Sequence, residues 1–170
     1  SAGKRNSFAA TWLYADDDAL PDLYVANDFG TNNLLRNKGN GSFEEIAKQN
    51  GVADFATSMG VASGDLDNDG SPEIYVANMY SKMGRRIIAQ VSADDYGPGV
   101  HKQIKGACAG NRLYKRGPRG GPYKEKSESW GINDIGWAYA PAIADLNNDG
   151  LLDLHATTGF LSFDRSKPDG

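Results

Sequence analysis

The chain has 170 residues, 22 acidic against 18 basic, a net charge of −4, and no apolar run near the ~20 residues that a bilayer-spanning helix needs. That balance leaves no basic footprint for nucleic acid, so neither nucleic acid nor a membrane span is expected, and the length is that of one domain with its own core. Twenty-one glycines, many in NG, DG and GG pairs, separate short apolar segments, which is the punctuation of an all-β chain.

In chain order, the first expected strands are Phe8 to Ala15, Asp22 to Asn27, Asn33 to Asn37 and Ser42 to Ala47, the second with the period-2 alternation of a half-buried strand. PDLYVAN at 21 to 27 returns as PEIYVAN at 72 to 78, an offset of 51. GDLDNDGSPEIYVAN at 64 to 78 is echoed by ADLNNDGLLDLHATTG at 144 to 159, an offset of 80. Between them, NLLRNKGNGSFEEIAKQNGV at 33 to 52 lines up with NRLYKRGPRGGPYKEKSESWGI at 111 to 132, matching Leu34 to Leu113 and Phe43 to Tyr123. The second unit therefore holds an insertion at 81 to 109, in which RRIIAQV is predicted as a helix ended by the PG at 98 to 99.

Four antiparallel strands per repeat of about 50 residues define a β-propeller blade. The expected fold is a partial β-propeller: blade one at 7 to 57, blade two at 58 to 136 with the insertion, and half of blade three at 137 to 165. The polar ends SAGKRN and SKPDG, with no initiator Met or signal peptide, read as those of a piece of a longer chain that supplies further blades.

Each repeat crowds carboxylates where like charges oppose folding, which calls for a cation among them. The second loop offers Asp65, Asp67 and Asp69 at places one, three and five, Gly70 at six, the Ser71 carbonyl at seven and Glu73 at nine. The third offers Asp145, Asn147, Asp149, Gly150, the Leu151 carbonyl and Asp153 in the same places. Alternate oxygens converging on one point, with glycine allowing the sharp turn, suit Ca2+, which takes six to eight oxygens. An EF-hand would need a bidentate acid at place twelve and flanking helices, but Val76 and Ala156 stand there and β-type sequence follows. The first loop is degenerate, with Tyr14 at place one, then Asp16, Asp18, Ala19 in place of glycine, and Asp22; it is either a weak site using a carbonyl or an empty relic.

The pattern x-D-x-(D/N)-x-D-G-x-x-(D/E) running into a strand resembles the FG-GAP/VCBS repeat, the calcium-binding blade of integrin α-chain propellers. With YVAN, NRLYKR and GNGSFEEIA added, it is similar to the cartilage acidic protein-like group of secreted propellers. This resemblance implies acidic loops on the outer blade rim, a structural Ca2+, and a secreted or cell-surface protein that binds a protein or glycan ligand.

Contact residues for such a ligand are expected in the insertion, at Arg85, Arg86, Tyr96, His101 and Lys102, and in GWAYAP at 136 to 141, where Trp137 and Tyr139 also read as packing between blades. Cys108, the only cysteine, excludes an internal disulfide and reads as a small buried side chain, and two histidines, His101 and His155, leave no Cys/His zinc site. The rival reading is a polysaccharide-acting propeller enzyme or its accessory domain, which would need Glu125 or Glu128 to meet Asp134 in a cleft. A third is an architectural segment that self-associates through open blade faces.

Overall fold

A computed structural model describes residues 6–79, 82–96 and 99–159. Ser81, Pro98 and the 160 to 165 end of the expected third unit lie outside them. Sheet one is built from β1 (Asn6–Leu13), β2 (Asp22–Asp28), β4 (Asn33–Asn37) and β5 (Phe43–Glu45), all antiparallel and in that spatial order. Two short strands, β3 (Gly30–Thr31) and β6 (Phe55–Ala56), pair with each other. Sheet two orders β7 (Ser58–Gly64), β8 (Glu73–Asn78), β9 (Arg112–Gly117) and β10 (Gly121–Glu125) in the same way. A hairpin of β11 (Ala138–Ala144) and β12 (Asp153–Thr158) forms the third sheet.

All four expected strands of the first unit are present: β4 has the expected ends, β2 runs one residue further, and β1 and β5 are shifted or shortened. β1 stops at Leu13 because Ala15 has already turned away, its N–H donating to Asp22 Oδ2 at 2.9 Å. β5 is cut to three residues because Ala47 N–H donates to Glu45 Oε1 at 2.8 Å, opening the turn that follows.

The sheets stack in chain order, and alternation on β8 shows how. Ile74 and Val76 join Leu13, Tyr24, Ala26, Leu34, Val52, Tyr114 and Tyr123 in a core between sheets one and two. Tyr75 and Ala77 face the other way, packing with Leu113, Ala138, Ile143 and Leu154 between sheets two and three. With a neighbour on each side, every residue of β8 is buried, whereas its repeat-equivalent β2 is buried only at alternate places along most of its length. Leu23 and Val25, the counterparts of Ile74 and Val76, are half-buried, and Phe43, the counterpart of buried Tyr123, is exposed. Sheet one thus presents an apolar face, with Phe8 and Trp12 also exposed, and the stack does not close on itself among the described residues. β7 approaches β11 closely because Gly60 and Gly64 carry no Cβ; one at Gly60 would lie 2.4 Å from Pro141 Cδ.

An asparagine clamp ties the second strand of sheets one and two to the connection that follows it. Asn27 N–H donates to Asn32 Oδ1 at 2.7 Å and Asn27 Nδ2 to the Thr31 carbonyl at 2.8 Å. Asn78 repeats both bonds with Asn111 Oδ1 and the Gly110 carbonyl, each at 2.8 Å. The clamp closes over a four-residue link in the first unit and over the whole insertion in the second. Among its described residues that insertion holds two α-helices rather than one: α1 (Lys82–Ile88) and α2 (Val100–Ala107). Gly99, read from sequence as part of a helix stop, instead caps the start of α2 with φ 83°, a conformation that glycine adopts without strain.

Candidate metal loops and an adjoining cleft

The three acidic loops join the first and second strands of each sheet, and their internal hydrogen bonds recur at the sequence offsets. At place nine the acid accepts from the backbone N–H of place two: Glu73 Oε2 from Leu66 N–H at 2.8 Å, Asp153 Oδ2 from Leu146 N–H at 3.0 Å, and Asp22 Oδ2 from Ala15 N–H at 2.9 Å. At place five, Asp69, Asp149 and Asp18 each accept from the backbone two residues on at 2.9 Å. At place one, Asp65 accepts from Asp69 N–H at 3.0 Å and Gly70 N–H at 2.9 Å, and Asp145 from Asp149 N–H at 3.1 Å and Gly150 N–H at 2.9 Å. Tyr14 gives the first loop no such acceptor.

Backbone shape follows the same repeat. Gly70 and Gly150 sit at φ 88° and 87°, with Asn68 and Asn148 also left-handed at 57° and 64°. Ala19 holds φ 61° in the first loop, so the turn survives there without its glycine, in a region that a Cβ disfavours.

The loops differ in the donors they bring together. One ligand oxygen from each of Asp65, Asp67 and Glu73 lies within 4.8 Å of the others, a donor set fitting a hard oxygen-seeking cation. At the same places the third loop holds Asn147 and the first Tyr14, so neither offers these three carboxylates. In the third, Asp149 Oδ2 accepts from Asn147 Nδ2 at 3.0 Å instead. Asp69 stands outside the trio and is drawn to Lys115, whose Nζ lies 2.6 Å from Asp69 Oδ2, 2.5 Å from Asp67 Oδ2 and 3.4 Å from Glu73 Oε1.

Electrostatics mirror this geometry. Burial pushes the Glu73 carboxyl above its usual range against the Leu66 hydrogen bond, with Asp67 adding to the rise. The hydrogen bond from Lys115, then that from Ser71 N–H, hold Asp69 below its usual range. For Lys115 burial disfavours charge, but the hydrogen bonds to Asp67 and Asp69 outweigh it and the ammonium is held more firmly than usual. In the first loop burial, opposed by the Asp18 backbone, raises Asp16.

Sequence reasoning missed both Lys115 and its neighbour Arg116, which reaches the other way to Asp17 in the first loop. NRLYKR reads as an ordinary strand edge. The available signal was register: Glu73 and Lys115 fall one step beyond the Ile74–Tyr114 pair, so an acid and a base lie across adjacent strands.

A separate cleft of about 540 Å3 lies between the insertion and sheet two, lined in part by Arg85, His101, Lys105, Arg112, Glu125 and Glu128. Of the expected contact residues, Arg85 and His101 face it, while Arg86, Tyr96 and Lys102 are not among its lining and Trp137 and Tyr139 are half-buried elsewhere. Asp134 does not line it, and Glu125 Oε1 is engaged by Ser127. Cys108 is half-buried at its wall, not fully buried as expected, and burial raises its thiol pKa.

This stack of repeated antiparallel sheets with an acidic loop in each is the setting for the matches to known proteins. Residues 15–76 match the FG-GAP-like repeat. Over 177 aligned residues the chain is 27% identical to cartilage acidic protein 1 of Xenopus tropicalis, covering 84% of this chain and 27% of that protein. The chain thus spans about a quarter of the length of this relative. Both matches fall on the family and the group that the acidic repeats resemble.

Proposed function

We propose that this chain is a calcium-stabilised propeller segment of a secreted or cell-surface protein that binds a protein or glycan ligand. The observation carrying this reading is the repetition, at offsets of 51 and 80, of the same backbone hydrogen bonds to acids at places five and nine. Asp65, Asp67, Asp69, Glu73 and the Ser71 carbonyl would hold one ion. Asp145, Asn147, Asp149, Asp153 and the Leu151 carbonyl would hold another, and Asp16, Asp18 and Asp22 a weaker one. The ion would neutralise the cluster and tie the loop to its hairpin, and at 100 times its dissociation constant would add about 2.7 kcal/mol of stability. Extracellular calcium suits such weak sites.

The ligand surface we infer is the cleft beside α1 and α2, whose volume is that of a small-molecule or short-chain site and whose mixed charges suit polar groups. The apolar face of sheet one would be covered by a further sheet or a second copy. The alternative, a polysaccharide-acting enzyme, draws on Glu125 and Glu128 sharing that cleft. Turnover of a polysaccharide lost in Glu128→Gln would favour it.

Calorimetric calcium titration and melting of the unaltered chain, of Asp67→Ala and of Asp149→Ala test the main reading. Binding that diminishes in each variant and a melting temperature raised by calcium are the expected results. Flat heats and an unmoved melting temperature would end it.

A further inference from the structure

The geometry points to Lys115 as the resident cation of the 65–73 loop, which calcium enters only by displacing that ammonium. The inference rests on the calcium reading above and adds the residue that sets this loop's affinity. Three of the loop's four acids, Asp67, Asp69 and Glu73, point at one nitrogen within 3.4 Å. Glu73 is fully buried and cannot reorient to water.

Asp65, Asp67 and Glu73 also gather one oxygen each within 4.8 Å, while the same places hold Asn147 in the third loop and Tyr14 in the first. Among the described residues the third sheet has no counterpart of β9, so no such lysine stands beside Asp145, Asp149 and Asp153.

Cross-strand neighbours account for the direction of the side chain. In sheet one the equivalent residue is Arg36, and its partner on β5, Glu44, takes the guanidinium at 2.8 Å. In sheet two Lys115 pairs with Lys124, so a like charge stands where the acid stood. Like charges directly opposite repel, and Lys115 is left with the acidic loop as its only counter-charge among the described residues. The Glu44/Lys124 exchange between repeats thus decides whether a loop keeps an internal cation. Ca2+ and the ammonium both draw on the carboxylates of Asp67 and Glu73, so they compete.

The test is a calorimetric calcium titration of the full chain, alone and in an Asp149→Ala background that disables the third loop, with Lys115→Met or Lys124→Glu added. Lys115→Met is expected to tighten binding at the 65–73 loop by about tenfold or more, the scale of a lost charge-assisted competitor. Lys124→Glu, an exposed change that leaves Lys115 in place, is expected to draw it away and tighten binding several-fold. In EDTA, Lys115→Met should melt below the unaltered chain, and saturating calcium should reverse that order. Calcium binding by the unaltered chain with no tightening in either variant overturns the role of Lys115 alone. Absence of binding in every variant overturns the calcium reading and this inference together.

Discussion

Arg116 Nη1 donates to Asp17 Oδ1 at 2.9 Å, joining β9 of the second sheet to the acidic loop of the first across 99 positions of sequence. The two partners are unlike: the Arg116 side chain is 7% exposed and that of Asp17 is 83% exposed. An ion pair with one end in water contributes little, so Asp17→Ala is expected to change stability by less than about 0.5 kcal/mol. Arg116→Ala removes a buried stem as well and is expected to cost about 1–3 kcal/mol. Urea unfolding of the two variants measures the asymmetry, and equal effects would contradict it.

Glu73 and Asp153 hold the same place in their loops but not the same surroundings. Glu73 is fully buried, while Asp153 is half-buried near solvent. Glu73→Ala leaves the Leu66 N–H without its acceptor and is expected to cost about 1–3 kcal/mol in EDTA, where no calcium contributes. Asp153→Ala should cost less than about 1 kcal/mol under the same conditions. Denaturant midpoints in EDTA provide the measurement.

The asparagine clamp predicts that the insertion is dispensable for folding. Replacing residues 79–110 with Asp-Phe-Gly-Thr, the link at 28–31, should preserve the Asn78 to Asn111 bonds, the β-type circular dichroism and cooperative melting. Asn111→Ala, by contrast, strips the Asn78 N–H of its partner and is expected to lower stability by about 1–3 kcal/mol.

Four buried tyrosines predict alkaline unfolding. Burial raises the hydroxyl pKa of Tyr24, Tyr75, Tyr114 and Tyr123. Unfolded tyrosines ionise near pH 10, so above about pH 10 the unfolded chain sheds protons that the folded chain retains, and stability falls as pH rises. The urea midpoint should be insensitive to these groups below about pH 9 and drop above about pH 10. Tyr75→Phe should shallow that drop, and because the Tyr75 hydroxyl lacks a protein partner it should cost less at neutral pH than Tyr24→Phe, which loses a bond to the Val52 carbonyl.

Much of this architecture was legible because the repeats are long and alternation is strong. PDLYVAN and PEIYVAN carry the period-2 signal, and their strands lie where that signal placed them. The pairing of β3 with β6 left no trace, since two residues per strand are too few to show a period. The α2 helix was hidden by Gly99, because a left-handed glycine can close one helix or open another. In the acidic loops the spacing marked which oxygens recur, but Lys115 lies 42 residues from Glu73, and only strand register brings them together. The identity of the residue opposite, Lys124 rather than an acid, becomes meaningful only once that register is known.

Because Ile74 and Val76 adhere to one neighbour while Tyr75 and Ala77 adhere to the next, cohesion passes along the assembly as a series of adjacent couplings. Among the described residues the middle layer is gripped twice and each outer layer once. Amide exchange should therefore be slowest along β8 and fastest along β12, with the chain fraying from its ends inward.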